Sequence, residues 1–438
     1  MLTAFLLISF SSHALTSKTT NVINGNAPYL TFDGGRTRAT NTDGLLGITL
    51  SNGVKFTPTT NNSSSAHPIE LPIAGQRFAD IDMLLPIETD SVELSSLIGV
   101  PYNYWGDDDK DGQGPNGITA TGSLRLSIVD KDNQAVERNE VLTICKAPYK
   151  LTLSNTEGTL KTRYGMPNES RFSASNVIYY INPKAKASPV ICFAKPDMRY
   201  GSGQYAGPAS IWDAKKGFLP QSITPSSYDL NFPTTGANNL YFDLEIAGVA
   251  KPLKWEVVSP NGDIKATMTN LTKTNVRVKL TGPIHDKPSL PQVFELVGKD
   301  SDNNDIEVRY GFVLKQWFVT SSAKDYQSAS SMCTEIGYRM PAVKDLTNAT
   351  CQGSLPGSLC QGAVGATPPS SGNHFQRRIG AGFFTEWGQC VVYDPDEYWT
   401  SDATGKYRFI VTPCTGRVDR KEPHRTGGIY RGRICVYP

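Results

Sequence analysis

The stretch Gly432-Arg433-Ile434-Cys435-Val436-Tyr437-Pro438 lies at the end of the sequence and contains the last of its eight cysteines. Six of the eight fall within residues 333–438. Clustered cysteines in even number are typical of exported domains, because disulfides form and persist in oxidising compartments. The cluster therefore predicts a disulfide-stapled C-terminal module, and it is the most informative feature of this chain.

Residues 1–14 have the pattern of a secretory signal peptide. The apolar run Met1-Leu2-Thr3-Ala4-Phe5-Leu6-Leu7-Ile8-Ser9-Phe10 precedes Ser11-Ser12-His13-Ala14, which places small residues before a cut after Ala14. No Lys or Arg precedes the apolar run, so only the terminal amine supplies positive charge. We expect export through the Sec pathway. No later stretch reaches the ~20 apolar residues that a transmembrane helix needs.

Composition indicates several β-rich domains. A chain of 438 residues usually forms two to four domains of ~100 to 200 residues each. The 39 Gly and 29 Pro residues separate short runs such as Leu124-Arg125-Leu126-Ser127-Ile128-Val129, in which apolar and polar residues alternate as in half-buried strands. With 43 basic and 41 acidic residues, no global field attracts nucleic acid, and nucleic-acid binding is not expected.

We divide the mature chain into three regions. Residues 15–235 form a β-rich module of one or two subdomains. Residues 236–305 form a small antiparallel sandwich of immunoglobulin type, because strands of four to seven residues are joined by turns such as Asn261-Gly262. Cys145 and Cys192, the only cysteines before residue 333, are expected to pair. The alternative for these two is a pair of buried free thiols.

Residues 306–438 are predicted to be α+β. A helix after Trp317 begins with Ser322 as its cap and ends at Gly337, since Tyr326, Ala329, Cys333 and Ile336 share one helical stripe. A second short helix begins with Pro341 and continues through Leu346. Loop-rich strands that carry cysteines follow.

This last region resembles the C-type lectin-like fold. The resemblance rests on the Trp-bearing strand, the cysteine-bearing helix, the Gly337-Tyr338-Arg339-Met340-Pro341 entry to a second helix, the Tyr398-Trp399-Thr400-Ser401 strand and the cysteine of the final strand. It implies that Cys333 pairs with Cys435 and Cys390 with Cys414, which leaves Cys351 with Cys360. Sugar-binding lectins of the family hold calcium with Glu-Pro-Asn or Gln-Pro-Asp. This chain has Glu422-Pro423-His424, so calcium-dependent sugar binding is not implied.

The mature chain also resembles the adhesion-domain proteins of enteric bacteria that are related to invasin and intimin. The resemblance rests on Tyr104-Trp105-Gly106-Asp107-Asp108-Asp109-Lys110-Asp111-Gly112-Gln113-Gly114, Tyr179-Tyr180-Ile181-Asn182-Pro183, Phe232-Pro233-Thr234-Thr235-Gly236 and the final Cys435-Val436-Tyr437-Pro438. It implies an adhesin that is secreted, or lies on the outer surface of a Gram-negative bacterium, and takes part in virulence. Its partner would be a host-cell surface receptor, protein or glycan.

One acidic loop could hold calcium. Asp107, Asp109 and Asp111 with Gly112 match positions 1, 3, 5 and 6 of a calcium loop, in which alternating carboxylates converge on a hard cation. Position 12 would be Ile118 rather than the bidentate Glu. The alternative is a solvated acidic turn. No cofactor is required in this interpretation, and a bound calcium ion would be structural.

Signals for catalysis are weak. The sequence contains neither His-Glu-x-x-His nor Gly-x-Ser-x-Gly, which are the usual metalloprotease and hydrolase motifs. Ser321-Ser322-Ala323-Lys324 matches Ser-x-x-Lys without its companion motifs, and a helix start explains it better. Asp394, Asp396 and Glu397 could supply the carboxylate pair of a glycosidase. We expect no catalytic residues and no enzymatic activity.

The C-terminal region offers better candidates for recognition. Aromatic and Arg side chains are the usual anchors of interfaces, and aromatic rings also stack on sugars. The candidate ligand-binding residues are Glu386, Trp387, Tyr393, Asp394, Asp396, Glu397, Arg417, Arg420, Lys421, His424 and Arg425. The alternative is that Trp387 and Trp399 are core and that the basic stretch is solvated surface.

The sequence thus predicts a mainly β protein, with antiparallel, immunoglobulin-like β-sandwich modules followed by a C-terminal α+β, C-type lectin-like domain. The favoured function is a non-enzymatic adhesin whose lectin-like tip binds a host receptor. Two alternatives stay open: an exported carbohydrate-active enzyme with a sugar-binding module, and a structural subunit of a surface assembly.

Overall fold

The computed structural model describes residues 24–108, 117–184, 189–258, 262–302, 306–323, 325–352, 359–388, 397–423 and 431–438. The predicted signal peptide, residues 1–14, lies outside these ranges. The predicted mainly β class is confirmed, with 37% of residues in strands and 11% in helices. Within the described ranges, no helix combines the length and apolar character needed to cross a membrane.

The chain divides into two compact units, Met1–Lys184 and Ala185–Pro438. Each unit has its own hydrophobic core, one containing residues between Leu30 and Ile181 and the other residues between Ala194 and Val436. The boundaries that the sequence suggested, at 235/236 and 305/306, both lie inside the second unit.

The first unit consists of short strands and two single-turn α-helices, with a 3-10 turn at Phe78–Asp80. Its elements are β1 (Tyr29–Leu30), α1 (Thr42–Leu45), β2 (Ile48–Thr49), β3 (Lys55–Phe56), β4 (Ile69–Glu70), β5 (Ser91–Glu93), α2 (Leu94–Leu97), β6 (Trp105–Gly106), β7 (Ile118–Thr121), β8 (Ser123–Val129), β9 (Tyr149–Asn155), β10 (Gly158–Thr162), β11 (Glu169–Phe172) and β12 (Ser175–Asn182).

A five-stranded sheet organises the first unit, in the order β4-β12-β9-β8-β5. Alternate residues of β9 are buried, including Tyr149, Leu151 and Leu153, as expected for a strand with one face on the core. The strand predicted from Leu124 to Val129 is confirmed as β8. It ends because Asp130 accepts hydrogen bonds from the backbone N–H groups of Asp132 and Gln134, which fixes a turn.

The second unit contains the longer strands, with 3-10 turns at Gly203–Tyr205 and Pro225–Leu230. Its elements are β13 (Val190–Lys195), β14 (Trp212–Asp213), β15 (Gly217–Phe218), β16 (Thr235–Ala237), β17 (Tyr241–Ala247), β18 (Lys254–Val258), β19 (Lys265–Thr269), β20 (Asn275–Thr281), β21 (Gln292–Lys299), β22 (Glu307–Leu314), β23 (Gln316–Ala323), α3 (Tyr326–Glu335), α4 (Val343–Leu346), α5 (Phe383–Trp387), β24 (Glu397–Thr404), β25 (Tyr407–Val411), β26 (Val418–Lys421) and β27 (Arg431–Tyr437).

Two sheets of this unit share apolar residues in one core. One has the order β14-β15-β13-β17-β20-β19 and the other β18-β21-β22. Phe242 of β17 contacts Phe312 of β22 edge-to-face at 5.8 Å between ring centroids, and Phe294 stacks on Phe312 at 4.8 Å. Because β13 pairs with β17, this sheet begins well before residue 236.

The C-terminal sheet has the order β16-β23-β27-β24-β25-β26. Its first strand, β16, lies in the sequence between β15 and β17 of the sandwich and pairs in parallel with β23. The helix predicted around Cys333 is confirmed as α3, and the chain leaves it at Gly337, where φ is +72°. Its cap is Asp325, which accepts from Ser328 N at 2.8 Å, rather than the predicted Ser322. The second predicted helix begins at Val343 rather than Pro341.

Two of the predicted disulfides are confirmed. Cys333 bonds to Cys435, and Cys351 bonds to Cys360. Cys145, Cys192 and Cys414 are also disulfide-bonded, so the alternative of free thiols at Cys145 and Cys192 is wrong. The pairing of Cys145 with Cys192 stays a prediction, and Cys390, the predicted partner of Cys414, lies outside the described residues.

The two confirmed disulfides should differ in their contribution to stability. They close loops of 102 and 9 residues in sequence separation. In the chain-entropy model, replacing Cys333 and Cys435 by Ala lowers the free energy of unfolding by about 4 to 5 kcal/mol, and replacing Cys351 and Cys360 by about 2 to 3 kcal/mol. Urea unfolding of the oxidised proteins measures both values, and an equal or reversed pair of losses would contradict this order.

Candidate functional site

Glu386 and Trp387, two of the predicted ligand-binding residues, lie in α5 and are both fully buried. No ligand at the protein surface could reach them, so their assignment to a binding surface is corrected. The alternative, in which Trp387 and Trp399 belong to the core, agrees with their exposures of 0% and 1%.

The Glu386 carboxylate accepts hydrogen bonds from five donor groups. Oε1 receives them from Thr234 Oγ1 at 2.8 Å and from Gly380 N at 2.8 Å. Oε2 receives them from Thr235 N at 3.0 Å and from Thr235 Oγ1 at 2.6 Å, and Thr234 N lies 3.1 Å from Oε1. The side chain therefore ties α5 to the start of β16, 152 residues earlier in the sequence.

Two neighbouring side chains strengthen this joint. Trp387 Nε1 donates to the carbonyl oxygen of Thr235 at 3.1 Å. The guanidinium of Arg377, which is also fully buried, donates from Nη1 to the Glu386 carbonyl at 2.9 Å and lies 4.7 Å from the Trp212 ring centroid. We call Glu386, Trp387, Arg377, Thr234 and Thr235 the buried joint, and its role is structural.

Burial raises the pKa of Glu386 above its ordinary value of 4.5, and the hydrogen bonds from Thr235, Gly380 and Thr234 oppose that rise. The folded state therefore favours the neutral acid more than the unfolded state does. The stabilisation linked to this proton is fully present below pH 4.5, and it is lost as the pH rises through the raised pKa.

The other described candidates lie at the opposite end of the C-terminal sheet. Arg417 precedes β26, while Arg420 and Lys421 belong to it. The Arg417 side chain is 46% exposed and pairs with Asp419 at 3.2 Å. Lys421 lies opposite Arg408 in the register of β25 and β26. The structure thus brings Arg417, Arg420 and Lys421, the described members of the predicted basic stretch, together at one sheet edge.

Aromatic rings lie between these cations. The guanidinium carbon of Arg420 lies 5.0 Å from the Tyr407 ring centroid, and Lys406 Nζ lies 5.4 Å from the same centroid. On the other side of the hairpin, Arg408 lies 5.0 Å from the centroid of Tyr326 in α3. These distances are within the range of cation–π attraction. We call this set the basic-aromatic surface, and it includes both faces of the β25–β26 edge, because Arg408 and Lys421 point to one face and Tyr407 and Arg420 to the other. It consists of Tyr326, Lys406, Tyr407, Arg408, Arg417, Arg420 and Lys421.

The basic-aromatic surface carries a net positive charge. Residues 405–423 contain five basic and two acidic side chains, a net charge of +3, whereas the whole chain carries +2. Lys406 pairs with Glu422 at 2.6 Å, and its side chain is 70% exposed. The acidic residues therefore reduce the local positive charge without cancelling it.

The remaining candidates were not brought into this set. Glu397 begins β24, whereas Tyr393, Asp394, Asp396, His424 and Arg425 lie outside the described residues. The sequence interpretation missed Lys406, Tyr407, Arg408 and Tyr326. The adjacent cation and aromatic residues at 406–408 were visible in the sequence, but their closeness to Arg420 and Tyr326 comes from strand pairing and helix packing.

The predicted calcium ligands are described only in part. Asp107 is 8% exposed, while Asp109 and Asp111 lie outside the described residues. The neighbouring Asp108 accepts from Arg38 at 2.5 Å and from Tyr29 at 3.1 Å. Among the residues that the structure describes, no cluster of three metal-ligating side chains occurs. Calcium binding at this loop stays a prediction.

The fold is that of a mainly β protein with an α+β C-terminal module. No protein-family model and no curated protein matches the chain. Solved structures with some similarity include invasin, a bacterial integrin-binding protein, at 14% identity and a TM-score of 0.34. That match covers 76% of this chain and 54% of the invasin chain.

Two structures of intimin are also similar. A 282-residue C-terminal fragment, in complex with the intimin-binding domain of the translocated intimin receptor, has 12% identity and a TM-score of 0.31. The match covers 75% of this chain and 90% of that fragment. An intimin–Tir90 complex has 10% identity and a TM-score of 0.26, over 56% of this chain and 100% of that one.

Replacing Glu386 tests the buried joint. In Glu386→Gln, one carboxylate oxygen becomes an amide NH₂ that faces backbone N–H donors, so we expect the free energy of unfolding to fall by about 3 kcal/mol. Glu335→Gln, at the exposed end of α3, is the matched control and should change it by less than about 0.5 kcal/mol. Urea unfolding measures both, and similar stabilities of the two variants would refute a structural role for the joint.

Proposed function

We propose that this chain is an adhesin related to invasin and intimin, exported to the surface of a Gram-negative bacterium. In this proposal the basic-aromatic surface binds an acidic patch on a host-cell receptor. The rest of the chain acts as a β-rich platform. Binding is non-covalent and requires no cofactor.

The observation that carries the proposal is the packing of Arg408 on Tyr326 and of Arg420 on Tyr407, each at 5.0 Å, within a segment, residues 405–423, of net charge +3. A net charge of this size occurs elsewhere in the chain, with +4 over residues 265–283, so the aromatic partners of the cations distinguish this surface. It creates a local positive potential that accelerates encounter with an acidic partner and sets the orientation of docking.

The side chains present suit a protein interface. Arg and Tyr are enriched among residues that contribute most to binding energy, because each offers both contact area and directed polar groups. Arg408 and Arg420 are half-buried and lie over Tyr326 and Tyr407. Their conformational freedom is already reduced, so less entropy is lost when a partner binds.

The surface also has a firm support. Trp399 and Phe409, whose side chains are 1% exposed, lie beneath the hairpin in the core of the second unit. The disulfide Cys333–Cys435 fastens α3, which carries Tyr326, to β27. Binding groups on a fixed scaffold are typical of recognition modules.

Reversing the charge of the surface tests the proposal. We expect Arg408→Glu/Arg420→Glu to lower the affinity of the full chain for cultured epithelial cells by at least about tenfold, which corresponds to about 1.4 kcal/mol. The control Lys265→Glu/Lys273→Glu makes the same change in net charge at exposed positions around β19 and should bind like the unmodified protein. Saturation binding measured by flow cytometry gives both affinities, and circular dichroism checks folding.

Two further measurements, at different ionic strengths and after protease or glycosidase treatment of the cells, identify the type of interaction and of receptor. Cell binding should weaken as ionic strength rises, because the screening length falls from about 10 Å at 0.1 M to about 3 Å at 1 M. Loss of binding after protease treatment identifies a protein receptor, and loss after glycosidase treatment identifies a glycan. Equal affinities of the two double variants would contradict the proposed surface.

A further inference from the structure

A cavity of about 570 Å³ lies in the first unit, far in sequence from the basic-aromatic surface. Its volume is within the range of small-molecule sites, about 300 to 1,000 Å³. The aromatic and charged side chains that line it are Phe32, Asp82, Glu88, Tyr102, Tyr104 and Arg138. The cavity therefore combines aromatic rings, carboxylates and one guanidinium.

Arg138 is the most constrained of these groups. It is 8% exposed, and its Nη1 donates to the carbonyl oxygens of Pro86 at 2.7 Å and Thr89 at 3.4 Å. Its buried Nε has no hydrogen-bond partner within the described part of the chain. A buried donor without an acceptor is unfavourable. A small movement of the Arg138 side chain would let an oxygen atom of a bound ligand accept a hydrogen bond from Nε.

The aromatic wall is held by the backbone. Tyr104 N donates to the carbonyl of Leu97 at 2.7 Å, and Asn103 adopts a left-handed conformation with φ of +50°. This turn places the rings of Tyr102 and Tyr104 side by side, 5.4 Å between centroids. Both side chains are half-buried, so part of each ring faces the cavity.

The acidic groups lie at the exposed rim. The side chains of Asp82 and Glu88 are exposed, and neither has a hydrogen bond or ion pair to any described residue. Burial lowers the pKa of Arg138, and the charges of Asp90 and then Glu88 oppose this in part. Burial raises the pKa of Tyr104, and the charge of Glu88 adds to that rise. With two carboxylates and one guanidinium, the cavity carries no excess positive charge.

We propose that this cavity binds a neutral sugar residue of a glycan. A sugar hydroxyl both donates and accepts, so it can serve Asp82 and Glu88 as well as Arg138. The apolar face of a sugar ring can pack against Tyr102. An organic anion would be repelled by the two carboxylates, and an amine would leave the buried guanidinium without an acceptor. A neutral sugar can pair with the carboxylates and can also offer an acceptor to the guanidinium.

The test uses the full-length protein on an array of oligosaccharides. The array holds neutral glycans of glucose, galactose, mannose and N-acetylglucosamine, with sialylated and sulfated glycans beside them. We expect binding to one or more neutral glycans, weakened about tenfold by Tyr102→Ala and about threefold or more by Glu88→Gln, equivalent to about 1.4 and 0.6 kcal/mol. Tyr164→Ala, at a tyrosine of the same unit that is 55% exposed, is the control and should bind normally.

Several results would overturn the proposal. These are no binding to any neutral glycan, binding to acidic glycans alone, or equal binding by Tyr102→Ala, Glu88→Gln and Tyr164→Ala. Arg408→Glu/Arg420→Glu should leave this binding unchanged, so failure of the sugar site and failure of the cell-binding surface are separate outcomes.

Discussion

The hydrogen bonds to the buried Glu386 carboxylate constrain the architecture of the second unit. A carboxyl group with no solvent exposure is tolerated only where donors surround it, and here Thr234, Thr235 and Gly380 supply them. Thr234 and Thr235 lie in the sequence between strands β13–β15 and β17–β22 of the sandwich, and Glu386 follows them all. The sandwich and the C-terminal sheet are therefore joined at more than one point of the chain. The second hydrophobic core accordingly contains residues from Ala194 through Val436. The C-terminal module is therefore part of a larger body.

This arrangement has a consequence for recognition. The basic-aromatic surface lies on β25 and β26, at the end of the C-terminal sheet that is opposite β16 and the buried joint. A force applied to a receptor bound there would be carried through the hydrogen-bonded strands from β26 to β16. The disulfide Cys333–Cys435 holds α3 to β27 within this sheet. This continuity would suit the proposed adhesive role, in which the module holds its partner under load.

Local patterns in the sequence predicted local structure well. The alternation at Leu124–Val129 gave the correct strand, and the stripe around Cys333 gave the correct helix, since both depend on residues close in the chain. The errors have a common physical origin in contacts between distant segments. The sequence around Glu386 indicated an acid at the surface beside a tryptophan. Its hydrogen-bond donors Thr234 and Thr235 lie about 152 residues earlier in the sequence, so its burial could not be predicted locally. The division at 235/236 stays a prediction, and the pairing of β13 with β17 across it is not visible in the sequence of either strand alone. For the same reason, Arg420 could be proposed as a binding residue while its neighbour Tyr407 was missed.

The central claim is that the basic-aromatic surface is where a host receptor docks. Hydrogen–deuterium exchange of the full-length protein, free and bound to epithelial membrane vesicles, measures this most directly because every backbone amide reports. The account predicts slower exchange on binding in Tyr407–Val411 and Val418–Lys421, where β26 is the last strand in the order of the described sheet. Amides of β17 and β20, in the sandwich, should exchange at unchanged rates. Protection confined to the sandwich or to the first unit, with β25 and β26 unaffected, would contradict the account.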